Sequence, residues 1–498
     1  IISINPIIET GLLNFSNPQE IKGALGIKSK LTDLYLQVKI NGDMALLQAL
    51  VKLMLLEEDK DPGVVFDLDF IKEKTQGFED YLTHIRTLDL NNLIDECGIP
   101  LQTLQSVANI LCNNNRIIAC WAMGLTQHKN SVNTIKEVVN LLLLKGSIGK
   151  PGAGTCPVRG HSNVQGDRTM GIYEKPSASF LDRLQKVFHF NPPRKHGFDT
   201  VESITAMHSG KARVFFAMGG NFLSATPDTL FTAKALQKCD LTVQVSTKLN
   251  RSHLIHGKEA LILPCLGRTD KDLIKGELQF VSVENSMGVV HSSKGSLKPI
   301  SSQMLSEPAI VCQLAMATLK NSKVDWEKYL QHYDHIRDSI EECIPGFENY
   351  NQKVRQPSGF YLPNGARDNS YNTTSGKANF SISNSEAIVL AEGELLMMTI
   401  RSHDQFNTTI YGLNDRYRGI FNERRVILMH PKDIERYQLK ERDLVDLYNF
   451  HSNTERVAHK FIVLSYNIPE KCCATYFPEA NVLVPLNSTA DKSNTPCH

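Results

Sequence analysis

The sequence predicts an α/β protein in which doubly wound parallel-sheet layers precede a small carboxyl-terminal β-barrel. Three observations carry that reading. Strand-like apolar runs alternate with helical patterns across the first 160 residues. A second strand–helix series begins near position 212, with glycines at the end of its first strand. From position 395 onward, short β-rich runs lie between turns.

The elements follow in order. IISINP is a short apolar strand ending at Asn5 and Pro6. TDLYLQVKI is a second strand, followed by Asn41, Gly42 and Asp43 and the helical pattern MALLQALVKLMLLEE. RIIACWAMG is a further strand, and SVNTIKEVVNLLLLKG is a helix with Ser131 as its N-cap and Gly146 at C′. After the loop-rich region 147–175, ARVFFAMGGN is a strand and PDTLFTAKALQ a helix with Pro227 near its first turn. DLTVQVSTKLN and EALILPCLGRTDKD are the next two strands. Within the mixed span 296–394, MLSEPAIVCQLAMATLK is a helix. LLMMTI, RRVILM, DLVDLYN and KFIVLSY are strands of the barrel.

A chain of 498 residues exceeds the length at which one core stops growing, roughly 250–300 residues. The changes of texture divide it into segments 1–160, 161–380 and 381–498. The 54 basic residues nearly cancel the 53 acidic ones, which excludes binding of nucleic acid through a general basic field. No run of 18 apolar residues occurs, so no membrane span is expected. The 11 cysteines form no C-x-x-C, which excludes zinc-ribbon and ferredoxin-type spacings. Reduced thiols in a cytoplasmic protein are expected, most of them small buried hydrophobes; Cys156 stands apart in a polar loop. The opening IISINPIIETG lacks an initiator Met and a basic leader, and the expectation is a sequence that begins inside a larger protein.

Ligands of open α/β sheets sit beyond the carboxyl ends of the strands. Here those ends carry Asn5-Pro6, Asn41-Gly42-Asp43, Gly219-Gly220-Asn221, Ser246-Thr247-Lys248 and Gly267-Arg268-Thr269-Asp270. Glycine lets a backbone approach a phosphate, and an acidic residue can hold a ribose hydroxyl or a purine edge. Any one of these ends alone reads as a plain turn. Together they point to a large nucleotide-bearing ligand held by two Rossmann-like halves. No G-x-G-x-x-G follows any of the strands, which counts against a standard NAD site.

Two further runs are dense in polar groups. GKPGAGTCPVRGHSNVQGDRTMG, 149–171, sets Arg159 and His161 among glycines, with Asn163, Gln165, Asp167 and Arg168 after them. Arg159 offers a fixed cation suited to a carboxylate, and His161 a proton carrier near neutral pH. The plain alternative is a solvated surface loop. TIRSHDQFNTTIYGLNDRYRG, 399–419, joins Arg401, His403 and Asp404 to Asn407, Thr408, Thr409, Asp415 and Arg416, too polar a run for a core strand.

With WAMGLTQHKNSV, STKLNRSH, LPCLGRTDKD and YFPEANVLVP added to these two runs, the chain resembles the molybdopterin-dependent oxidoreductases related to the formate dehydrogenase alpha subunit. The resemblance implies two Rossmann-like domains and a six-stranded, double-psi-like barrel. These would grip two molybdopterin guanine dinucleotides (bis-MGD) and one molybdenum or tungsten. It places Asn5, Pro6, Asn41 and Asp43 near one nucleotide, and Gly219, Gly220, Asn221, Ser246, Thr247 and Asp270 near the other. Arg401, His403, Asn407, Thr408 and Asn481 would come from the barrel. The family's V-R-G-x-x-N-V-Q-G segment makes Arg159 the residue that orients formate, with His161 beside it as a catalytic candidate. Formate, or a related small substrate, would lose two electrons to the metal, and an electron-transfer protein would receive them.

Family members carry an upstream region with, in many, a four-iron cluster and the protein ligand of the metal. Neither is among these 498 residues, so the segment alone is expected to be inactive and to supply no metal ligand. Two other readings stay open on sequence alone. One is an NAD-dependent dehydrogenase; the other is a scaffold or binding protein that keeps the cofactor fold without the catalysis.

Overall fold

The most apolar helical pattern in the sequence becomes the axis around which the first part of the chain packs. In a computed structural model that describes residues 1–17, 19–160 and 163–497, the helix Asp43–Glu58 buries 11 of its 16 residues. A helix apolar on nearly every side must be enclosed on nearly every side. The helices Phe78–Thr87, Leu90–Cys97, Leu101–Cys112 and Ser131–Leu144 enclose it, with Leu46, Met54, Tyr81, Leu104 and Leu142 in the shared core. A Cβ on Gly42, just before the helix, would lie 2.8 Å from the Cys97 Cα, so glycine permits this approach. At the far end, the buried Glu58 accepts the N–H groups of Gly63, Val65 and Phe66 at 2.6–2.9 Å and turns the chain.

The chain forms two compact units, one of residues 1–155 with 365–498 and one of residues 156–364. In the first, Ile2–Ile4 pairs in parallel with Leu34–Leu36. The second strand is shorter than TDLYLQVKI suggests because Val38 and Ile40 turn into two different cores, while the Lys39 N–H bonds the Cys97 carbonyl. The carboxyl-terminal sheet has five strands, in the order Leu396–Ile400, Cys472–Tyr476, Val426–Met429, Arg456–Ser465, Leu444–Asn449. Its central strand alternates as a doubly covered strand should: Val426 and Leu428 face a core containing Ile7 and Ile40, and Ile427 and Met429 face Phe461 and Leu483. Five paired strands among the described residues replace the expected six. The run 401–420 adds the two-residue hairpin arms Gln405–Phe406 and Thr409–Ile410, and its polar side chains bond one another and Glu9, Arg424 and Tyr476.

The second unit holds a three-stranded parallel sheet, Glu259–Pro264, Leu241–Ser246 and Val214–Met218 in that order. It also holds the antiparallel strands Val281–Glu284, Val289–Ser293 and Phe360–Tyr361. The helix expected in the mixed span is Glu307–Thr318, capped by the Ser306 hydroxyl. Seven of the 11 cysteines are buried, and burial pushes their thiols up, Cys265 to about 11. No helix among the described residues is long and apolar enough to cross a membrane.

One expected cap moves by a residue. Asn130 holds the N-cap position, and Ser131 is the first residue inside the helix, its side chain buried. Gly146 does sit at C′ in the left-handed region, φ +52°. Within that helix Glu137 is fully buried among neutral partners. It accepts from the Tyr81 hydroxyl at 3.0 Å and from Asn140 Nδ2 at 2.6 Å. Burial pushes its carboxyl up to about 7, with Tyr81, Asn140 and Gln48 pulling it part of the way back.

A carboxyl raised in the folded state contributes stability that is complete below its unfolded value of 4.5 and is lost as pH rises toward 7. The stability of wild type relative to Glu137→Gln should therefore fall by about 3 kcal/mol across that window and stay level above it. Paired urea-unfolding series check this; a difference independent of pH would show that Glu137 ionises normally.

Candidate functional site

The run 399–419 folds around a buried carboxylate. Asp415, its side chain 1% exposed, accepts from His403 Nδ1 at 2.7 Å, Arg418 Nη1 at 2.6 Å and the Tyr476 hydroxyl at 2.7 Å. Arg418 also donates through Nη2 to Glu9 and through Nη1 to the Arg401 carbonyl at 2.8 Å. Glu9 lies three residues beyond Pro6, so this network ties the first strand end to the run 399–419. Burial raises the Asp415 carboxyl, but the Tyr476 hydrogen bond and the Arg418 and His403 partners outweigh it, and the carboxyl sits below the usual range. Burial lowers Arg418, yet Glu9 and Asp415 together raise it above an ordinary guanidinium.

Arg401 extends from this network. Its guanidinium stands 4.9 Å over the Phe477 ring, with Nη1 4.0 Å from Met123 Sδ. Its Nε–H is buried and meets no acceptor among the described residues, and burial lowers its guanidinium. The buried Nδ2 of Asn130 likewise meets no acceptor there. Asn407 and Thr408 form the tip of the two-residue hairpin, Asn407 at φ +51°. Arg424 anchors the hairpin: it binds Glu479 at 2.6 and 3.0 Å, the Ser402 hydroxyl at 2.9 Å and Gln405 Oε1 at 3.0 Å. Asn481 is fully buried at the start of the turn Asn481–Leu483.

In the same unit, the Asn5 side chain donates to the Ile7 carbonyl at 2.7 Å, and the Pro6 carbonyl accepts from Gln37 at 3.0 Å. Asn41 sits at φ +68° and donates to the Glu386 carbonyl at 3.2 Å. Asp43 opens the central helix; burial raises its carboxyl, and His128 pulls it back.

In the second unit, the strand Val214–Met218 ends in Gly219 and Gly220, both at positive φ (+72° and +79°), where a side chain would be strained. Asn221 then receives the Ser252 hydroxyl on its Oδ1 at 2.8 Å, and the same oxygen of Ser252 accepts from the Leu223 N–H at 2.9 Å. Asn250 donates to the Gly220 carbonyl at 2.7 Å. Ser246 is buried with its hydroxyl 3.1 Å from His253 Nε2, whereas Thr247 is exposed. Asp270 commits one carboxylate oxygen to the Gly267 N–H of its own turn at 2.8 Å. Arg159 lies exposed in the loop before the helix Val164–Thr169, and His161 falls outside the described residues. Asn163 accepts from the Glu284 N–H at 2.9 Å, and Asn163, Gly166, Asp167 and Met170 form one wall of a cavity of about 230 Å³. Among the described residues no three His, Cys, Asp or Glu side chains gather as a metal site.

Sequence reading missed Glu9, Tyr476 and Arg424, whose partners Arg418, Asp415 and Glu479 lie 409, 61 and 55 residues away. It also missed Asn250, Ser252 and His253 as supports of the glycine turn, although they stand together in STKLNRSH.

A family model described as molybdopterin oxidoreductase matches residues 23–253, and one described as molydopterin dinucleotide binding domain matches residues 395–498. An uncharacterized oxidoreductase of Mycobacterium tuberculosis is 51% identical over 503 residues, covering 100% of this chain. The chain spans 65% of that relative's length. Protein YdeP of Escherichia coli is 40% identical over 506 residues, covering 99% of this chain and 67% of its own. A formate dehydrogenase subunit alpha of Methanocaldococcus jannaschii is 30% identical over 226 residues, 44% of this chain and 32% of its own. Acetylene hydratase from Pelobacter acetylenicus shares the fold, with a TM-score of 0.58 at 14% identity over 96% of this chain and 71% of that one.

Ser252→Ala removes two buried hydrogen bonds beneath the glycine turn. It should cost about 1–3 kcal/mol in urea unfolding, and an unchanged midpoint would show that Asn221 is held by other means.

Proposed function

The chain belongs to the molybdopterin oxidoreductase family, and from that premise we propose that the complete protein is a formate dehydrogenase-like enzyme using bis-MGD with molybdenum or tungsten. Formate, or a related small substrate, is the electron donor. The observation that carries this reading is the buried Arg401 Nε–H, which meets no acceptor among the described residues. Leaving such a donor unpaired costs about 1–3 kcal/mol, so the site suits a ligand rich in acceptor oxygens. The Asn130 Nδ2 donor fits the same description.

When bound, the cofactor supplies the two-electron redox chemistry, by which formate becomes carbon dioxide, one proton and two electrons. The residues of this chain bind and orient. In the proposal, segment 1–160 holds one guanosine end through Asn5, Pro6, Asn41 and Asp43. Segment 161–380 holds the other through Gly219, Gly220, Asn221, Ser246, Thr247 and Asp270. Arg401, His403, Asn407, Thr408 and Asn481 of segment 381–498 contact the pterins. Arg159 pairs with the substrate carboxylate and His161 takes the proton. Electrons pass to a partner protein, in the cytoplasm.

Elemental and nucleotide analysis of the complete protein from its native host should find one molybdenum or tungsten and two guanine nucleotides per chain. Iron in the same sample would mark a four-iron cluster. Neither metal nor pterin, from cells that make the cofactor, would refute the proposal. Arg159→Ala should lower turnover by orders of magnitude with metal content unchanged, since it removes charge stabilisation at the reacting carboxylate. Asn221→Leu with Thr247→Val should instead lower cofactor content, and full occupancy would remove that strand end from the site.

A further inference from the structure

Resting on the reading of Arg401 and His403 as cofactor-facing residues, we propose that Asp415 and Arg418 are positioning residues, a buried ion pair that fixes how those two side chains are presented. Neither touches the cofactor in this proposal. They act through Arg401 and His403.

The geometry shows how. An ionised Asp415 can only accept, so the 2.7 Å contact places the hydrogen of His403 on Nδ1. Nε2 is then the ring atom without the hydrogen, 3.7 Å from Glu9 Oε2, and the Tyr417 ring braces the imidazole with centroids 4.5 Å apart. Arg418 completes the frame. Its side chain is 5% exposed, and one nitrogen of its fork serves both Asp415 and the Arg401 carbonyl. The backbone of Arg401 and the ring of His403 are thus referenced to one rigid pair, itself locked to Glu9 and Tyr476. A planar guanidinium can make these contacts at once, which a lysine ammonium in its place could not.

The same pair could be argued to do no more than staple the chain, so the test separates the two roles. The complete protein is purified as wild type, Asp415→Asn, Arg418→Lys, His403→Ala and Asp415→Asn/His403→Ala. Guanine nucleotide and metal are counted per folded chain, and melting temperature is recorded beside them. The expected result is a loss of about fivefold or more in cofactor content for each single variant, the scale of one lost hydrogen bond. Asp415→Asn should cost less once His403 is alanine than it does alone, because its direct route through His403 is gone and only the one through Arg418 and the Arg401 carbonyl remains. Wild-type cofactor content in folded Asp415→Asn or Arg418→Lys would overturn the proposal. So would losses that add in the double variant and follow melting temperature. Should Asp415→Asn not fold, Arg418→Lys decides. A wild type without cofactor would instead overturn the functional reading beneath it, whereas a loaded wild type with loaded variants overturns only this one.

Discussion

A carboxylate sealed from water beneath the run 399–419 imposes the strictest condition on the larger unit. Asp415 is tolerable there because three donors converge on it, and one of them, Arg418, is balanced in turn by Glu9. Removing one partner of such a buried pair typically costs about 3–5 kcal/mol, since the charge left behind has neither water nor a counterion. The pair therefore demands that the chain's first residues and its last sheet be assembled together. Ile7 and Ile40 obey the same demand, inserting into the core of the carboxyl-terminal sheet beside Val426 and Leu428.

The second unit solves a comparable problem with neutral groups. Its strand ends need a backbone path that only glycine follows without strain, at Gly219 and Gly220. The freed backbone groups are then satisfied by Asn250 and Ser252 from the segment after the neighbouring strand. Charge holds the run 399–419; hydroxyl and amide hold the glycine turn. Both leave donors and acceptors fixed in orientation, which in the proposed function lowers the ordering cost of binding.

Much of the fold was legible because it rests on periodicity. The helix Asp43–Glu58 is apolar all round and had to be central, and Val426–Met429 reads as a strand covered on both faces. Local chemistry was legible to within a residue: Gly146 ends its helix as expected, while Asn130 rather than Ser131 begins it. Less of the site was legible. Asn221 and Ser246 are both strand-end residues by pattern, but that Ser252 bonds the first and His253 the second is decided by how the chain folds. Asp270 serves its own turn with one oxygen, which no spacing rule reveals.

The sequence by itself determined the α/β class and the family, because these follow from short-range periodicity and contiguous motifs, whereas the helices Phe78–Thr87, Leu90–Cys97 and Leu101–Cys112 emerged only in the structure. Which side chains are left with unspent donors was decided only by tertiary structure. Arg401 and Arg424 are both arginines in polar company; one keeps a buried N–H that meets no acceptor among the described residues, and the other spends its fork on Glu479, Ser402 and Gln405. That difference arises from burial and from partners brought in from distant segments, and neither quantity exists until the chain has closed on itself.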